Sequence, residues 1–312
     1  MTGLSVPSQP SVSVVIPVLN AAAFLPDLLK AIFAQKPRPP DEVILVDSLS
    51  TDGTRDLASS DSRIRVIPIS NFSHGRARNL GAREARGDII ALLTQDALPA
   101  GPDWLDRLLE PFADPTVAAV YSRQIPRPDA APMERFFLLT IFPNAGPTRR
   151  EKGDKPYLGF SDVFFSNVSA AVRRNVLLRF PFDEELIMSE DQQFARDILN
   201  AGYATMYQPS SAVIHSHRYT LKHVFRRHFD SVYSLTKIFS GHDFGTTASI
   251  GIRYVFREMA YMARNHPRCL PYYFLYCIAK ASGIITAHFA DRMPRWMARK
   301  CSLHPYYWKD AP

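Results

Sequence analysis

The feature that most constrains this chain is a repeated switch of hydrophobic period across its first hundred residues. Short β-branched or aliphatic runs recur at "SVSVVIPV" (11–18), "DEVILVD" (41–47), "IRVIPI" (64–69) and "IIALLT" (89–94). Between the first two, Phe24, Leu25, Leu28, Leu29, Ile32 and Phe33 fall at helical spacing. Asp52-Gly53 turns the chain toward a second helix start, and "HGRARNLGAREARGD" (74–88) reads as a helix with basic residues on one face. Buried strands alternating with helical patterns predict βαβ units and a parallel sheet. Two strands run into an acid: Asp47 closes the second, and Asp96 follows the fourth, with Pro99 as a stop. Ligands of open α/β sheets bind outside the carboxyl ends of the strands, so these acids are the first candidates for function.

Beyond Leu93 the pattern predicts a helix over Trp104–Phe112 capped by Asp103, then a strand at "VAAVYSRQIP" (117–126). Residues 126–156, rich in Pro and polar residues, read as an irregular or mobile loop. "FFSNVSAAVRRNVLLRF" and "SEDQQFARDILNAGY" read as a strand and two helices, and "YQPSSAVIHSHRY" as a last strand carrying His215 and His217. From Thr220 the chain reads as helices, the first with Leu221, Val224, Phe225, Phe229, Val232, Leu235 and Phe239 on one face. Residues 1–10 are expected to be disordered, 11–235 to form the α/β domain, and 236–312 a basic helical region.

The 312 residues suffice for one large domain with an appendage, and 46% hydrophobic with 21% charged residues describes a globular chain. Charge is uneven: 212–312 carries 15 Lys/Arg against 5 Asp/Glu, a net of +10, whereas 1–211 carries 22 against 25, a net of −3. A basic, aromatic tail suggests an anionic partner, a membrane surface or nucleic acid. No RNA-binding or helix-turn-helix signature favours the latter. The run at 270–290 is interrupted by Lys280 and His288, which favours a buried or interfacial helix over a span. Cys269, Cys277 and Cys301 form neither a C-x-x-C nor a paired framework, which fits a reducing compartment. The first residues show no basic region followed by an apolar one, so no signal peptide is expected. G-x-G-x-x-G and a phosphate loop ending in G-K-[ST] are both missing, which disfavours a dehydrogenase or kinase.

Five blocks in order carry a family resemblance: "SVVIPVLN" (13–20), "DEVILVDSLSTDGT" (41–54), "NFSHGRARNLGAREARGD" (71–88), "LLTQDALP" (92–99) and "SEDQQFARDIL" (189–199). Over roughly residues 11–235 the chain resembles the inverting, nucleotide-sugar glycosyltransferases of family 2, which have the GT-A fold. Within that family it most resembles bacterial rhamnosyltransferases that use dTDP-rhamnose. A processive membrane synthase on the same core would carry several spans and Q-x-x-R-W; here "RMPRW" (292–296) has Arg292 in place of the Gln.

The resemblance implies a set of site residues. Asp191, in the pair Glu190-Asp191, is the expected base that takes the acceptor's proton, with Glu190 orienting the acceptor. Two adjacent acids at a helix start are also ordinary complements of its dipole. The family's metal-binding D-x-D stands here as Thr94-Gln95-Asp96, so Asp96 alone, with His215 or His217, is expected to hold the diphosphate through Mg²⁺ or Mn²⁺. Asp47 is expected to read the nucleobase, packed by Pro17 and Leu19, with Asn20, Ser48 and Gln95 also on the donor side. Arg78 and Asn79 are expected at the diphosphate, although Arg76, Arg83 and Arg86 are also available. Ser166 and Asn167 are candidates for the sugar and acceptor side. The activity implied is transfer of L-rhamnose from a dTDP-sugar to a hydroxyl of a polyprenyl-linked or other glycan acceptor. The implied location is cytoplasmic, peripheral on the inner face of the cell membrane, with no nucleic-acid partner.

Overall fold

The computed structural model describes residues 10–58, 61–239 and 244–308, with the backbone alone for 244–250. Apart from Pro10, the segment expected to be disordered at the N-terminus lies outside the described residues. The elements in order are β1 (Val12–Val18), α1 (Leu25–Phe33), β2 (Glu42–Asp47), α2 (Thr54–Ala58), β3 (Ile64–Pro68), α3 (His74–Glu84), β4 (Ile89–Leu93), β5 (Leu98–Pro99) and α4 (Trp104–Leu109). They continue with β6 (Val117–Ile125), α5 (Pro132–Ile141), β7 (Thr148–Arg150), β8 (Ser169–Arg173), α6 (Arg174–Arg179), α7 (Glu190–Asn200) and β9 (Ala204–Ile214). Four helices follow: α8 (Leu221–Ile238), α9 (Phe244–Asn265), α10 (Leu270–Ala287) and α11 (Arg295–Cys301).

One sheet holds the strands in the order β3-β2-β1-β4-β8-β6-β9-β5, with β7 on β9. The first four are parallel, as the βαβ reading requires. β2 and β4 are buried along their whole length, which is why they read as unbroken apolar runs covered on both faces. β8 is antiparallel to both β4 and β6, pairing Leu93 with Ser169, and β9 is parallel to β6. The sheet therefore gathers at one edge the ends of β4, β6 and β9 and the start of β8. Helix α3 lies so close to β1 that a Cβ at Gly81 would stand 2.3 Å from Cγ1 of Val15, so glycine is the residue that admits this approach.

The C-terminal helices are packed onto this body. α10 runs along α8 with Gly283 against the Phe225 carbonyl, where a Cβ would be 2.3 Å from that oxygen. Tyr254 and Tyr261 of α9 stack on Phe136 of α5 at 5.4 and 5.1 Å between ring centroids. Among the described residues no helix is long and apolar enough to cross a membrane. Helix α10 buries Tyr273, Gly283 and Ala287 and leaves Phe274, Leu275, Ile278 and Ile285 exposed.

Five expectations need correcting. Residues 126–156 are not loop throughout: Pro132 opens α5, whose Met133, Phe136 and Leu138 are buried, and 148–150 form β7. Proline at a first helical position starts a helix rather than breaking one. Asp103 precedes α4, but its side chain makes no cap hydrogen bond, and α4 gives way after Leu109 to a 3₁₀ turn over Glu110–Ala113. On α8 the buried set is Val224, Phe229, Asp230, Tyr233, Ser234 and Ile238; packing against α10, α11 and Trp308 selects a rotated face. β9 ends at Ile214, so His215 and His217 lie just past the strand rather than on it. The boundary expected at 235 falls inside α8.

Candidate active site

The gathered edge places Asp96, His215 and His217 together. Oδ2 of Asp96 stands 3.6 Å from Nε2 of His215 and 3.7 Å from Nδ1 of His217, and the three ligand-type atoms lie within 4.8 Å of one another. Nδ1 of His215 is 2.9 Å from Oε1 of Gln124, whose own Nε2 donates to Ser166 Oγ at 3.0 Å. With that oxygen accepting, Nδ1 carries the proton and Nε2 offers its lone pair toward Asp96. Burial pushes the His215 pKa down to about 3, so the ring is neutral near pH 7, the form a metal needs. One carboxylate and two neutral imidazoles, oriented by a further polar contact, suit a divalent cation of the Mg²⁺ or Mn²⁺ kind.

Two guanidinium groups flank the triad. Arg127 donates from Nη2 to the Asp96 carbonyl at 2.7 Å. Arg227, from α8, donates from Nη1 to the Tyr219 hydroxyl at 2.7 Å, and the Tyr219 ring packs 5.1 Å from that of His217. Among the described residues neither guanidinium has a carboxylate within 4.0 Å, leaving both charges available to an anion. The sequence did not single out Gln124, Arg127 or Arg227. Their value comes from the strand pairing and from α8 folding back, and no spacing encodes either.

Asp191 is the second residue of α7, which follows Ser189, whose positive φ of 65° turns the chain sharply into the helix. Glu190 is buried and ion-paired to buried Arg78 at 2.7 Å, and Asn167 Nδ2 donates to the same carboxylate at 3.3 Å. Burial opposes the charge on Glu190, but Arg78, His74 and Asn167 outweigh it and hold the carboxyl below its ordinary range. Asp191 receives only the Asn167 and Gln192 backbone N–H groups, at 3.3 and 2.9 Å. Burial, and then the negative Glu190 beside it, push its pKa up to about 7. Two adjacent carboxyls are thus driven apart, one held as an anion and one able to exchange a proton near neutrality, the pattern expected of an acid–base group.

Other expected residues are placed differently. Arg78, expected at the diphosphate, lines the cleft with its charge paired to Glu190 at 2.7 Å. Asn79 clamps residue 182, exchanging hydrogen bonds with the Phe182 backbone at 2.8 and 3.0 Å. Asp47 is fully buried and accepts from Arg55 Nε at 2.5 Å and Ser50 N at 3.1 Å, so here it organises the turn after β2. A nucleobase would reach it only by displacing that arginine. Gln95 holds the Leu19 backbone from both sides, at 2.8 and 3.2 Å, and Asn20 accepts from Thr51 N at 2.9 Å, so these residues shape the loops above β1 and β2. Leu19 is exposed, Pro17 is half-buried, and Ser48 Oγ is buried without a partner. Ser166 and Asn167 do line the cleft, where they also hold Gln124 and the two acids.

His215 and His217 share with Asp191 one cleft of about 440 Å³, whose far wall is Phe137, Ile141 and Phe164. Asp96 and Arg127 line an adjoining cavity of about 370 Å³. A mixed sheet whose edge can neutralise a departing anion beside a group able to deprotonate a hydroxyl has the layout of a GT-A transferase. The comparisons agree. The family described as Glycosyl transferase family 2 matches residues 13–180. The chain is 34% identical to the O-antigen chain rhamnosyltransferase RfbN of Salmonella typhimurium over 304 residues, 96% of each chain. It is also 34% identical to WbaN, of the same description, from Salmonella anatum, over 97% of each. In fold it is similar to the mannosyltransferase PcManGT from Pyrobaculum calidifontis in complex with GDP-Man and Mn²⁺, with a TM-score of 0.62, 21% identity and coverage of 91% and 87%. It is likewise similar to glucosyl-3-phosphoglycerate synthase from Mycobacterium tuberculosis, with a TM-score of 0.52, 20% identity and coverage of 73% and 80%. The chain belongs to glycosyltransferase family 2, and it is a glycosyltransferase.

Only ionised Asp191 can accept a proton. The pH profile of kcat/KM should therefore rise on an acid limb with a midpoint near pH 7, set by the raised pKa. A rate independent of pH across that value would remove Asp191 from the role of base.

Proposed function

We propose that this glycosyltransferase moves L-rhamnose from dTDP-rhamnose, with inversion, to a hydroxyl of a lipid-linked surface glycan at the cytoplasmic face of the membrane. The observation that carries the chemistry is the opening of Asp191 and of the Asp96 triad's histidines into one cleft. The donor and acceptor classes rest on the similarity to RfbN and WbaN and on the sequence blocks named above.

Asp191 takes the proton of the acceptor hydroxyl as its oxygen bonds to the anomeric carbon. The bond from that carbon to the diphosphate breaks on the opposite face, and dTDP leaves with the electron pair. Glu190, held by Arg78, does not compete for the proton; its charge raises the basicity of its neighbour. Arg127 and Arg227 flank the place where negative charge develops on the leaving group. Asp96, His215 and His217 would hold a divalent cation, which when bound supplies further neutralisation of that charge. PcManGT and the mycobacterial synthase were solved with Mn²⁺ and nucleotide sugars, which supports a cation of this kind.

The membrane reading rests on the outer face of the C-terminal helices. Ile252 and Phe256 of α9 and Phe274, Leu275, Ile278 and Ile285 of α10 are exposed, with Arg253, Arg257 and Arg264 among them, while the acid of α9, Glu258, is buried. Apolar side chains ringed by arginine suit the headgroup zone of an anionic bilayer.

Four measurements test the proposal. Asp191→Asn should bind dTDP as the wild type does while losing transfer by at least about a hundredfold, the scale of a general base; full activity would refute the assignment. Asp96→Ala should lose divalent-dependent dTDP affinity, and unchanged affinity would remove its metal role. Against dTDP-rhamnose, UDP-glucose, UDP-galactose and GDP-mannose, scored with and without Mg²⁺, the first should be preferred, and preference for another replaces the donor. Sedimentation with phosphatidylglycerol vesicles should be lost in F274D/I278D; equal sedimentation of both proteins would refute this docking face.

A further inference from the structure

A cavity of about 440 Å³ between α8 and α11 is lined by none of the residues assigned above. Its walls are Arg226 of α8, Trp296, Arg299 and Lys300 of α11, and Ser302, Pro305 and Trp308 beyond it. Every ionisable side chain on that lining is cationic. Lys300 Nζ rests 5.1 Å from the centroid of Trp296, and among the described residues no carboxylate lies within 4.0 Å of Arg226, Arg299 or Lys300. Asp230, one turn along α8 from Arg226, is buried, accepts from the Leu303 backbone N–H at 2.7 Å and feels the Arg226 charge, but does not line the cavity. Trp308 packs on Tyr233 and Phe229 at 4.9 and 5.9 Å, and its indole Nε1 is buried with no hydrogen-bond partner.

Three cations gathered around a hollow repel one another, and a buried indole N–H with no acceptor costs free energy. An anion with several oxygens relieves the repulsion. Guanidinium groups bind phosphate with two parallel hydrogen bonds, and an ammonium adds a point charge. Indole rings on the same wall suit an occupant with an apolar part, as where tryptophan marks the boundary of a bilayer. We propose that the α8–α11 cavity binds the phosphate or diphosphate group of an amphiphile. That chemistry has two sources, a phospholipid headgroup and the diphosphate of a lipid-linked acceptor. The segment lining the cavity also carries His304, whose ring stands 5.3 Å from that of His74 in the catalytic cleft. The cavity wall and the catalytic cleft therefore meet across this ring pair. The inference deepens the membrane reading and does not depend on which sugar is transferred.

The chain's own fluorescence reports on this site. Of the three tryptophans, Trp296 and Trp308 line the cavity, while Trp104 is buried against the sheet. The full-length protein would be titrated in EDTA, which withholds metal from the Asp96 triad, with pyrophosphate, inorganic phosphate and dihexanoyl phosphatidic acid. A saturable change in tryptophan emission is expected, with affinity weakened about tenfold or more in R299A/K300A and in Arg226→Gln, the scale of one lost charge-assisted contact. Tighter binding of pyrophosphate assigns the site to the acceptor's diphosphate; tighter binding of phosphatidic acid assigns it to a phospholipid headgroup. Either result upholds the site. No saturable response to any of the three, or equal affinity in wild type and both variants, overturns it. Loss of this response with transfer activity intact would leave the glycosyltransferase reading standing.

Discussion

The active site depends on the ion pair between Arg78 and Glu190, 2.7 Å apart and almost wholly buried. Arg78 sits on α3, in the parallel half of the sheet, and Glu190 opens α7, more than a hundred residues later. The pair ties the two halves at the point where the base is presented. Removing either partner of such a pair strands a buried charge, at a cost of about 3–5 kcal/mol. The pair also fixes electrostatics. An anion held beside Asp191 raises the energy of a second negative charge there, and that makes an aspartate basic enough to work near neutral pH. On the mechanism proposed above, a carboxylate that does not take the proton thus sets the basicity of the one that does.

Topology explains why so many functional groups meet. In a fully parallel sheet the strand preceding α6 would have begun at the opposite edge. Because β8 is antiparallel, its start lies beside the end of β4, with Thr94 N bonded to the Val168 carbonyl at 3.0 Å. Asn167 is thereby carried to the edge that holds Asp96. β6 and β9 run parallel to each other and end at that edge too, delivering Gln124 and Arg127 from one and His215 and His217 from the other. One reversal of direction converts four separate chain segments into one site.

Much of this was legible in the sequence, for a physical reason. Strands buried on both faces must be continuous apolar runs, so β1 to β4 announce themselves, and an acid at the end of such a run has no reason to be there for packing. Asp96, Asp191 and the histidine pair were singled out that way or through the family blocks. Arg78 and Asn79 are ambiguous because a basic or polar residue on a helix reads the same whether it faces a ligand or a distant segment of its own chain. Asp47 is ambiguous in the same way, since a turn-closing acid and a ligand-binding acid occupy the same place in the pattern. Helix α5 was hidden by its proline and polar flanks, because its apolar residues are divided between α9 and the core beneath the cleft.

That last contact changes the standing of the C-terminal helices. The face of α5 that does not line the cleft packs against α9, with Met133 in a cluster with Met262 and Tyr273 and Phe136 between two tyrosines. Leu138 and Ile141, on the same short helix, reach the cleft that holds Asp191. Helix α8 sends Arg227 into that cleft and Arg226 into the cationic cavity behind it, on consecutive residues. Helices α9 and α10, which expose an apolar, arginine-bearing surface outward, therefore stand directly behind α5 and α8, which line the cleft. On the membrane reading proposed above, seating on a bilayer bears on the cleft through the packing of α9 on α5 and of α10 on α8.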